Sequence, residues 1–283
     1  MDKNSLLYWY PNIKDLDIPQ PRTEVVMFTE EEFETSFEGC PKSWVAMPTK
    51  FKFNKKTLTA KVQDCIDNHF SLPVFIRSDL SSAKHRWDKA CFYDGSRDLW
   101  KHLFAIIIFN HCADFMGLCF TSMAVREFIP MATGFTAFYG DMPVNPERRY
   151  FIKDGEVICH HAYWIKEAIA ASKPPSIENW EEVADQLNTE TDEEIKLLSG
   201  YALKVAKVLD GFWSVDFCKA LDGRWILIDL ALGEQSWHPE ECEESQHPAV
   251  DIFETTINSP CSGMDDIEIV PPRGAEDGEN PEI

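Results

Sequence analysis

The sequence lacks any apolar run long enough to cross a membrane as a helix. Its longest uninterrupted apolar run is Leu103–Phe109, whereas a membrane-spanning helix needs about 20 consecutive apolar residues. A secretory signal peptide is also not expected, because Met1-Asp2-Lys3-Asn4 leads into aromatic and polar residues. These absences predict a protein of the cytoplasm with no membrane partner.

The sequence also lacks the short motifs that mark several enzyme and metal-binding classes. Its 9 cysteines are scattered singly, with no Cys-x-x-Cys pair, which argues for reduced thiols and against zinc or a disulfide framework. There is no G-x-x-x-x-G-K-[ST] loop, no G-x-G-x-x-G, no G-x-S-x-G and no H-E-x-x-H. The P-loop, Rossmann, α/β-hydrolase and zincin classes therefore have no support.

Positive charge is scarce. The chain has 27 Lys and Arg against 48 Asp and Glu, which gives a formal net charge of −21. Such a surface repels nucleic-acid backbones and anionic lipid, so a nucleic-acid partner is not favoured. An anionic substrate would need a local cluster of Arg and Lys, or a metal ion. The acidic, Pro-containing tail over residues 259–283 is expected to be disordered.

Strand-like and helix-like segments alternate along the rest of the chain. Glu24–Phe28 and Pro73–Ser78 read as strands, and apolar residues at helical spacing predict a helix over Thr57–Phe70. Thr191 and Glu194 form a capping box that predicts the start of another helix. An apolar share of 44% is ample for a core. The pattern favours an α/β or α+β protein.

The stretch that organises the chain is a predicted hairpin rich in aromatic and β-branched residues. The runs Phe212–Cys218 and Arg224–Leu230 flank Asp222-Gly223, a dipeptide that favours a tight hairpin turn. Three acids accompany it: Asp216, Asp229 and Glu234. An acid within so apolar a strand is costly to bury unless it is paired or binds a cation. Three together favour a cation, and carboxylate oxygens suit Mg²⁺; hydrogen-bonded acids of structural use are the alternative.

Two pairs of like neighbours lie on a second predicted hairpin, turning at Asp154-Gly155. Adjacent strand residues point to opposite faces, so Arg148 and Arg149 are expected to face different surroundings. The same holds for His160 and His161, which follow Cys159. No partner ligands stand near these histidines at the usual metal-site spacing, so this segment is not predicted to bind a metal.

Four patches follow one another in an order that resembles the ATP-grasp superfamily. They are a strand and loop from Arg77 to Lys84, a strand ending Glu127-Phe128-Ile129-Pro130, a strand with Glu147 and Arg149, and the acid hairpin. The chain looks most like the divergent branch that contains the eukaryotic cell-division-cycle factor that assembles a translation initiation complex. The resemblance covers roughly residues 44–238.

This resemblance implies an α+β fold in which a nucleotide lies between two α+β lobes. The expected divisions are an N-terminal α/β region over residues 1–72, a small lobe with a phosphate-covering loop over 73–130, and a large lobe with the metal-binding hairpin over 131–258. The acidic tail over 259–283 follows.

The resemblance also implies a set of site residues. Arg77 stands where the family usually has a Lys near the adenine and α-phosphate. The phosphate-covering loop holds Ser81, Ser82 and Lys84, and the inter-lobe hinge holds Glu127, Phe128 and Ile129. Arg149 matches the arginine on the γ-phosphate side, so Arg149 and Lys84 are the expected catalytic residues. The expected metal ligands are Asp216, Asp229 and Glu234, and Arg148 and His161 are candidates for holding the acceptor.

Three departures from the family pattern stand out. The phosphate-covering loop has no glycine, so it should be stiffer than usual. Arg replaces Lys at position 77, which keeps the charge and changes its geometry. The last strand reads Asp229-Leu230-Ala231 instead of acid–x–Asn, so one metal ligand is missing unless Glu234 replaces it.

The expected function is that of an ATP- and Mg²⁺-dependent ligase, which activates a carboxylate as an acylphosphate for attack by an amine or similar nucleophile. An ATP-binding assembly factor or chaperone with a protein partner and little turnover is the alternative. Nucleic-acid end joining or modification is the least favoured, because of the negative charge. The carboxylate and amine substrates are not identified by the sequence.

Overall fold

The structure is a computed structural model that describes residues 2–29, 32, 55–114, 122–138, 141–171, 175–239 and 241–244. The predicted tail over residues 259–283 lies outside this part of the chain. None of the helices within the described part combines the length and hydropathy needed to cross a membrane.

Ten strands and six helices make up the described fold. The strands are β1 Thr23–Met27, β2 Val74–Ser78, β3 Phe92–Tyr93, β4 Ser122–Glu127, β5 Phe135–Ala137, β6 Met142–Val144, β7 Glu147–Lys153, β8 Glu156–Ala162, β9 Phe212–Lys219 and β10 Trp225–Leu232. The helices are α1 Leu6–Ile13, α2 Lys55–His69, α3 Leu99–Asp114, α4 Lys166–Ala170, α5 Trp180–Asn188 and α6 Asp192–Ala206. Mixed helices and antiparallel sheets confirm the predicted α+β class.

The first sheet has the strand order β1-β4-β2-β3, with antiparallel neighbours throughout. Helices α2 and α3 pack on it. Their apolar stripes, including Leu58, Val62, Leu103 and Ile106, join Ile76 of β2 in one buried core. The predicted strand before residue 30 and the helix over Thr57–Phe70 correspond to β1 and α2.

The second sheet has the order β10-β9-β7-β8 and is also antiparallel. Both predicted hairpins are present in it. At the β7–β8 turn, Asp154 and Gly155 adopt φ values of 51° and 91°, the left-handed conformations that this tight turn requires. At the β9–β10 turn, Gly223 adopts a φ of 88°. The dipeptides therefore act as the sequence predicts.

One face of the second sheet is covered by α1 and α6. Leu6 and Trp9 of α1 and Leu198 of α6 pack with Tyr150 and Trp213 of the sheet. Helix α6 begins with the predicted capping box, since Thr191 Oγ1 accepts from the backbone N–H of Glu194 and the Glu194 side chain accepts from that of Thr191. With this face filled, the opposite face is left for the site.

A short third sheet, β5-β6, packs with α4 and α5 around Trp164 and Phe138. Gly134 stands before β5, where a Cβ atom would come within 2.8 Å of Leu187 of α5. This sheet closes one side of the space between the two larger sheets.

Candidate nucleotide site

A cavity of about 190 Å³ lies between the first and second sheets. Its walls come from β2, β4, β7, β9 and β10 and from the segments that follow β2 and β4. Nine of the residues predicted from the sequence line it: Arg77, Ser82, Lys84, Glu127, Phe128, Ile129, Arg149, Asp216 and Asp229. The fold thus brings together four patches that are far apart in the chain.

The charged wall of the cavity is a row across three strands of the second sheet. Arg149 on β7 stands opposite Asp216 on β9, and Asp216 stands opposite Asp229 on β10. Arg149 donates to both carboxylate oxygens of Asp216, from Nε and Nη2, at 2.8 Å each. This bidentate geometry holds the guanidinium flat against the acid. The Tyr163 ring packs over the same guanidinium, 4.6 Å from ring centre to Cζ.

Two further ion pairs connect the two sides of the cavity. Arg77 of β2 donates from Nη1 to Asp229 Oδ1 of β10 at 2.7 Å. Lys84, in the turn after β2, donates from Nζ to Glu147 Oε1 of β7 at 3.1 Å. The other oxygen of Glu147 accepts from Trp164 Nε1 at 3.0 Å. Each cation that the sequence assigned to the nucleotide is therefore paired with an acid of the second sheet.

Burial and pairing act in opposite directions on these groups. Burial raises the pKa of Glu147, although Lys84 beside it favours the ionised form. For Lys84, burial alone would lower the pKa, but attraction to Glu147, Tyr163 and Asp216 outweighs it and the pKa is raised. The pKa of Arg149 is likewise raised, because attraction to Asp216 outweighs the loss of hydration. The two basic groups thus keep their charge inside the cavity.

Arg126 is a cavity residue that the sequence reasoning missed. It lies on β4 with only 4% of its surface exposed, and burial together with the nearby Arg77 lowers its pKa to about 10. Its Nη1 donates to the carbonyl of Ile228 at 2.6 Å, at the bulge where the β9–β10 register shifts between Leu227 and Asp229. A charged residue in an otherwise apolar strand was the available signal.

The other end of the cavity is apolar. Phe75, Trp87 and Phe128 line it, and Trp87 packs against both phenyl rings, with centroid separations of 5.7 and 6.4 Å. Phe128 and Ile129 follow β4 on the stretch that leads to the second sheet, where Met131 bridges to Ala220. Glu127 is exposed. An apolar end and a charged end in one cleft suit a ligand that is itself divided in this way.

Two of the predicted site residues do not line the cavity. Ser81 turns away, since its hydroxyl donates to Asn110 Oδ1 at 3.1 Å and its N–H donates to Ser78 Oγ at 2.8 Å. Glu234 lies exposed in the short 3₁₀ turn Gly233–Gln235 that follows β10. The chain changes direction there, which carries Glu234 away from Asp216 and Asp229.

The phosphate-covering loop contains strain where a glycine is absent. Ala83 adopts a φ of 50°, in the left-handed region that costs a non-glycine residue about 1 kcal/mol or more. Its side chain is buried, so packing compensates for the backbone conformation. Lys84 follows directly and begins the 3₁₀ turn Lys84–Arg86.

Arg148 does not reach the cavity, so it cannot hold an acceptor there. As the strand period predicts, it faces the opposite side from Arg149. It is 1% exposed, its Nη2 donates to the carbonyls of Leu187 and Thr189 at 2.8 Å each, and its Nε lies 3.3 Å from Glu190 Oε1. Arg148 therefore caps the end of α5.

The expectation that the Cys159-His160-His161 segment has no partner ligands is wrong. His160 and His161 do point to opposite faces, and His160 pairs with Glu190 at 2.9 Å. His161, however, joins Cys159, His238 and Cys242 in one cluster of possible metal ligands. Spacing along the chain carries no signal of this cluster, because His238 is 77 residues beyond His161.

Comparison with known families identifies the domain. A family model for an ATP-grasp domain, described as family 3 of its clade, matches residues 66–255. No curated protein matches the chain significantly.

Solved structures with a similar fold include C-terminally truncated Cdc123 from Schizosaccharomyces pombe, at 17% identity and a TM-score of 0.47, with 81% of this chain and 82% of that one covered. A RimK domain ATP-grasp protein from Sphaerobacter thermophilus matches at 10% identity and a TM-score of 0.40, with 81% and 58% covered. VanG D-Ala:D-Ser ligase from Enterococcus faecalis matches at 13% identity and a TM-score of 0.44, with 81% and 52% covered. The chain thus spans little more than half the length of the last two.

Proposed function

Because this chain belongs to the ATP-grasp family, we propose that its cavity binds ATP with Mg²⁺ and activates a carboxylate for attack by an amine or similar nucleophile. The observation that carries the proposal is the pairing of charges in the cavity. Three cations on separate segments meet three acids there: Arg77 with Asp229, Lys84 with Glu147, and Arg149 with Asp216.

These pairs are suited to exchange partners with a nucleotide. In the ligand-free protein, each buried cation is neutralised by one carboxylate, which limits the cost of burying charge. ATP brings anionic phosphate oxygens that can replace the carboxylates as partners of Arg77, Lys84 and Arg149. A divalent cation can then neutralise the acids released from Arg77 and Arg149. On a protein of net charge −21, such a local cluster is what an anionic ligand requires.

Asp216 and Asp229 supply the donor set that suits Mg²⁺. Directly opposed residues on antiparallel strands have Cβ atoms about 4.5–5.5 Å apart, and like charges in that position repel. A divalent cation between the two carboxylates would relieve this repulsion, and Mg²⁺ is usually held by one or two carboxylates with substrate phosphates. When bound, Mg²⁺ supplies positive charge beside the transferring phosphoryl group.

The apolar end of the cavity suits the base. Phe75, Trp87 and Phe128 offer aromatic surface, and a planar base gains from stacking on such rings. Glu127, exposed beside them, is placed to accept hydrogen bonds from ribose hydroxyls. In this arrangement the triphosphate extends toward Arg149 and Asp216.

In the proposed reaction, a carboxylate oxygen of the substrate attacks the γ-phosphorus of ATP, and the bond to the β–γ bridging oxygen breaks with release of ADP. An amine then attacks the carbonyl carbon of the acylphosphate, loses its proton, and displaces inorganic phosphate to give an amide. Arg149 and Lys84 stabilise the negative charge on the transferring group by positioned N–H donors.

ADP release tests the ligase proposal. The purified chain is incubated with ATP and Mg²⁺, with and without a pool of amino acids as carboxylate and amine donors. Acceptor-dependent ADP release is expected from the wild type and should be lost in Asp229→Asn. Asp222→Asn, which alters an exposed acid at the turn of the same hairpin, is the matched control and should retain turnover. Full activity in Asp229→Asn would contradict the metal assignment.

A second candidate function is an ATP-binding assembly factor with a protein partner and little turnover. The observation that favours it is Ala231, which lines the cavity two residues beyond Asp229 and offers no ligand atom. Loss of one metal ligand affects positioning for catalysis more than it affects nucleotide binding. The acidic surface suits a basic protein partner.

The two candidates differ in how ATP binding relates to turnover. The assembly-factor function predicts ATP binding without ADP release in the presence of acceptor pools, and a salt-sensitive complex with a basic protein. Robust ADP release with no stable protein complex would contradict the second candidate and favour the ligase.

A further inference from the structure

Four metal-ligating side chains meet at the β8 edge of the second sheet, apart from the nucleotide cavity. Cys159 and His161 lie on β8, and His238 and Cys242 lie in the segment after β10. Their donor atoms all lie within 4.8 Å of one another. His238 Nε2 is 3.1 Å from Cys159 Sγ and 3.1 Å from His161 Nε2.

These separations match the edges of a small tetrahedron. Zn²⁺ binds Cys sulfur at about 2.3 Å and His nitrogen at about 2.0–2.1 Å, so ligand atoms on one ion lie about 3.3–3.8 Å apart. Contraction or expansion of the cluster by a few tenths of an ångström would suit one ion. Two thiols and two imidazoles are also the donor set that selects zinc over Mg²⁺ or Ca²⁺.

The local backbone explains how the ligands come together. The two-residue period of a strand puts Cys159 and His161 on the same face of β8, while His160 faces away. In the other segment, the N–H of Cys242 donates to the carbonyl of Pro239 at 3.2 Å, a turn that returns the thiol toward His238. Each segment therefore contributes one Cys and one His.

The imidazole rings are supported from below by the sheet. The Phe151 ring, fully buried on β7, lies 4.2 Å from the His238 ring and 6.2 Å from the His161 ring, measured between centroids. His238 is itself 7% exposed. Packing that fixes ring orientation raises the precision of a metal site.

We propose that Cys159, His161, His238 and Cys242 bind one Zn²⁺ ion as a structural site that fastens the segment after β10 onto β8. Four protein ligands leave no open position, which is the arrangement of structural zinc and not of catalytic zinc. The fastened segment crosses the site face of the sheet, where the carbonyl of Trp237 accepts from Arg149 Nη1 at 3.3 Å. Zinc would thus hold in place one partner of a cavity residue.

Metal analysis of the full chain tests this proposal. The protein is made without a histidine tag and purified without chelator, and its zinc is measured by plasma mass spectrometry. One Zn²⁺ per chain is expected. After its removal, added Co²⁺ should give the strong visible absorption of a tetrahedral site and a thiolate-to-metal charge-transfer band. In Cys242→Ser, Co²⁺ affinity should fall at least about tenfold.

Cys65→Ser is the matched control, since Cys65 is a half-buried free cysteine on α2, and it should bind metal as the wild type does. Zinc should also protect Cys159 and Cys242 from iodoacetamide, as read by peptide mass spectrometry, a measurement that needs no substitution. A protein that neither contains zinc nor takes up Co²⁺ would overturn the proposal. So would unchanged affinity in Cys242→Ser, or a disulfide between Cys159 and Cys242 in the freshly purified protein.

Discussion

At the scale of single residues, the clearest contrast is between Arg148 and Arg149. The sequence predicts that they face opposite sides of the strand, because the side-chain period of a strand is two. It does not tell which of the two faces the cavity, since that depends on where α5 and α6 pack. The resemblance to ATP-grasp proteins made the choice of Arg149. For Arg148, which the sequence left as a candidate acceptor residue, the structure gives a structural role.

Substitutions at these two positions should separate stability from binding. In Arg148→Leu, the carbonyls of Leu187 and Thr189 lose their donor, so the free energy of unfolding should fall by about 2–4 kcal/mol. The ATP affinity of the folded protein should hardly change. In Arg149→Leu, ATP affinity should fall at least about tenfold. Urea unfolding and calorimetric titration give the two quantities, and reversed effects would contradict the assignment of the two faces.

His85 should make stability depend on pH. Burial and the charge of Lys84 lower its pKa from 6.5 to about 4. Between these values the unfolded chain binds the proton and the folded chain does not, so stability is present above pH 6.5 and is lost as the pH falls toward 4. One such proton contributes a slope of up to about 1.4 kcal/mol per pH unit. Urea unfolding across this range should show a flatter profile for His85→Gln than for wild type.

At the scale of elements, hairpins were the features best predicted from the sequence. The turn residues and the alternation on both sides specify them locally, and both are present at the predicted places. The bulge before Asp229 was not predictable, because its freed carbonyl at Ile228 is satisfied by Arg126 from the other sheet. Local sequence does not report a long-range partner of this kind.

The turn after β10 depends on close packing at Gly233. A Cβ atom there would come within 2.6 Å of the buried Phe212 ring. Gly233→Ala should therefore destabilise the protein by about 1–3 kcal/mol through overpacking, as measured by thermal or urea unfolding.

Gly200 provides the opposite case for the same substitution. It lies inside α6, is exposed, and a Cβ atom there would meet nothing within 4 Å. Gly200→Ala should stabilise the protein by about 0.5–1 kcal/mol, because alanine favours a helix. Equal effects of the two alanines would show that packing against Phe212 is not what constrains position 233.

At the scale of the whole molecule, the site is made by bringing two sheets together. The α+β class and the membership of most site residues followed from the order of four patches in the chain. The cross-sheet partners did not, because pairs such as Arg77 with Asp229 are 152 residues apart and strand pattern gives no register between sheets. The same reason explains why Glu147, Arg126 and Trp164 had no predicted role.

The N-terminal segment also contributes to both sheets. Strand β1 completes the first sheet beside β4, whereas α1 packs on the second sheet with Trp213 and Tyr150. Between them, Ser5 Oγ donates to Asp79 Oδ2, just after β2, at 2.6 Å. How the chain divides into domains remains a prediction.

The central claim is that the carboxylates opposite the cavity's cations hold Mg²⁺ with ATP. Calorimetric titration of ATP into wild type and Asp229→Asn, once with Mg²⁺ and once with EDTA, tests it most directly. With Mg²⁺, Asp229→Asn should weaken binding at least about tenfold, or about 1.4 kcal/mol. With EDTA, the substitution should leave ATP affinity unchanged or raise it, because a negative charge is removed and Arg77 is released. Equal weakening in both conditions, or no binding by the wild type, would contradict the claim.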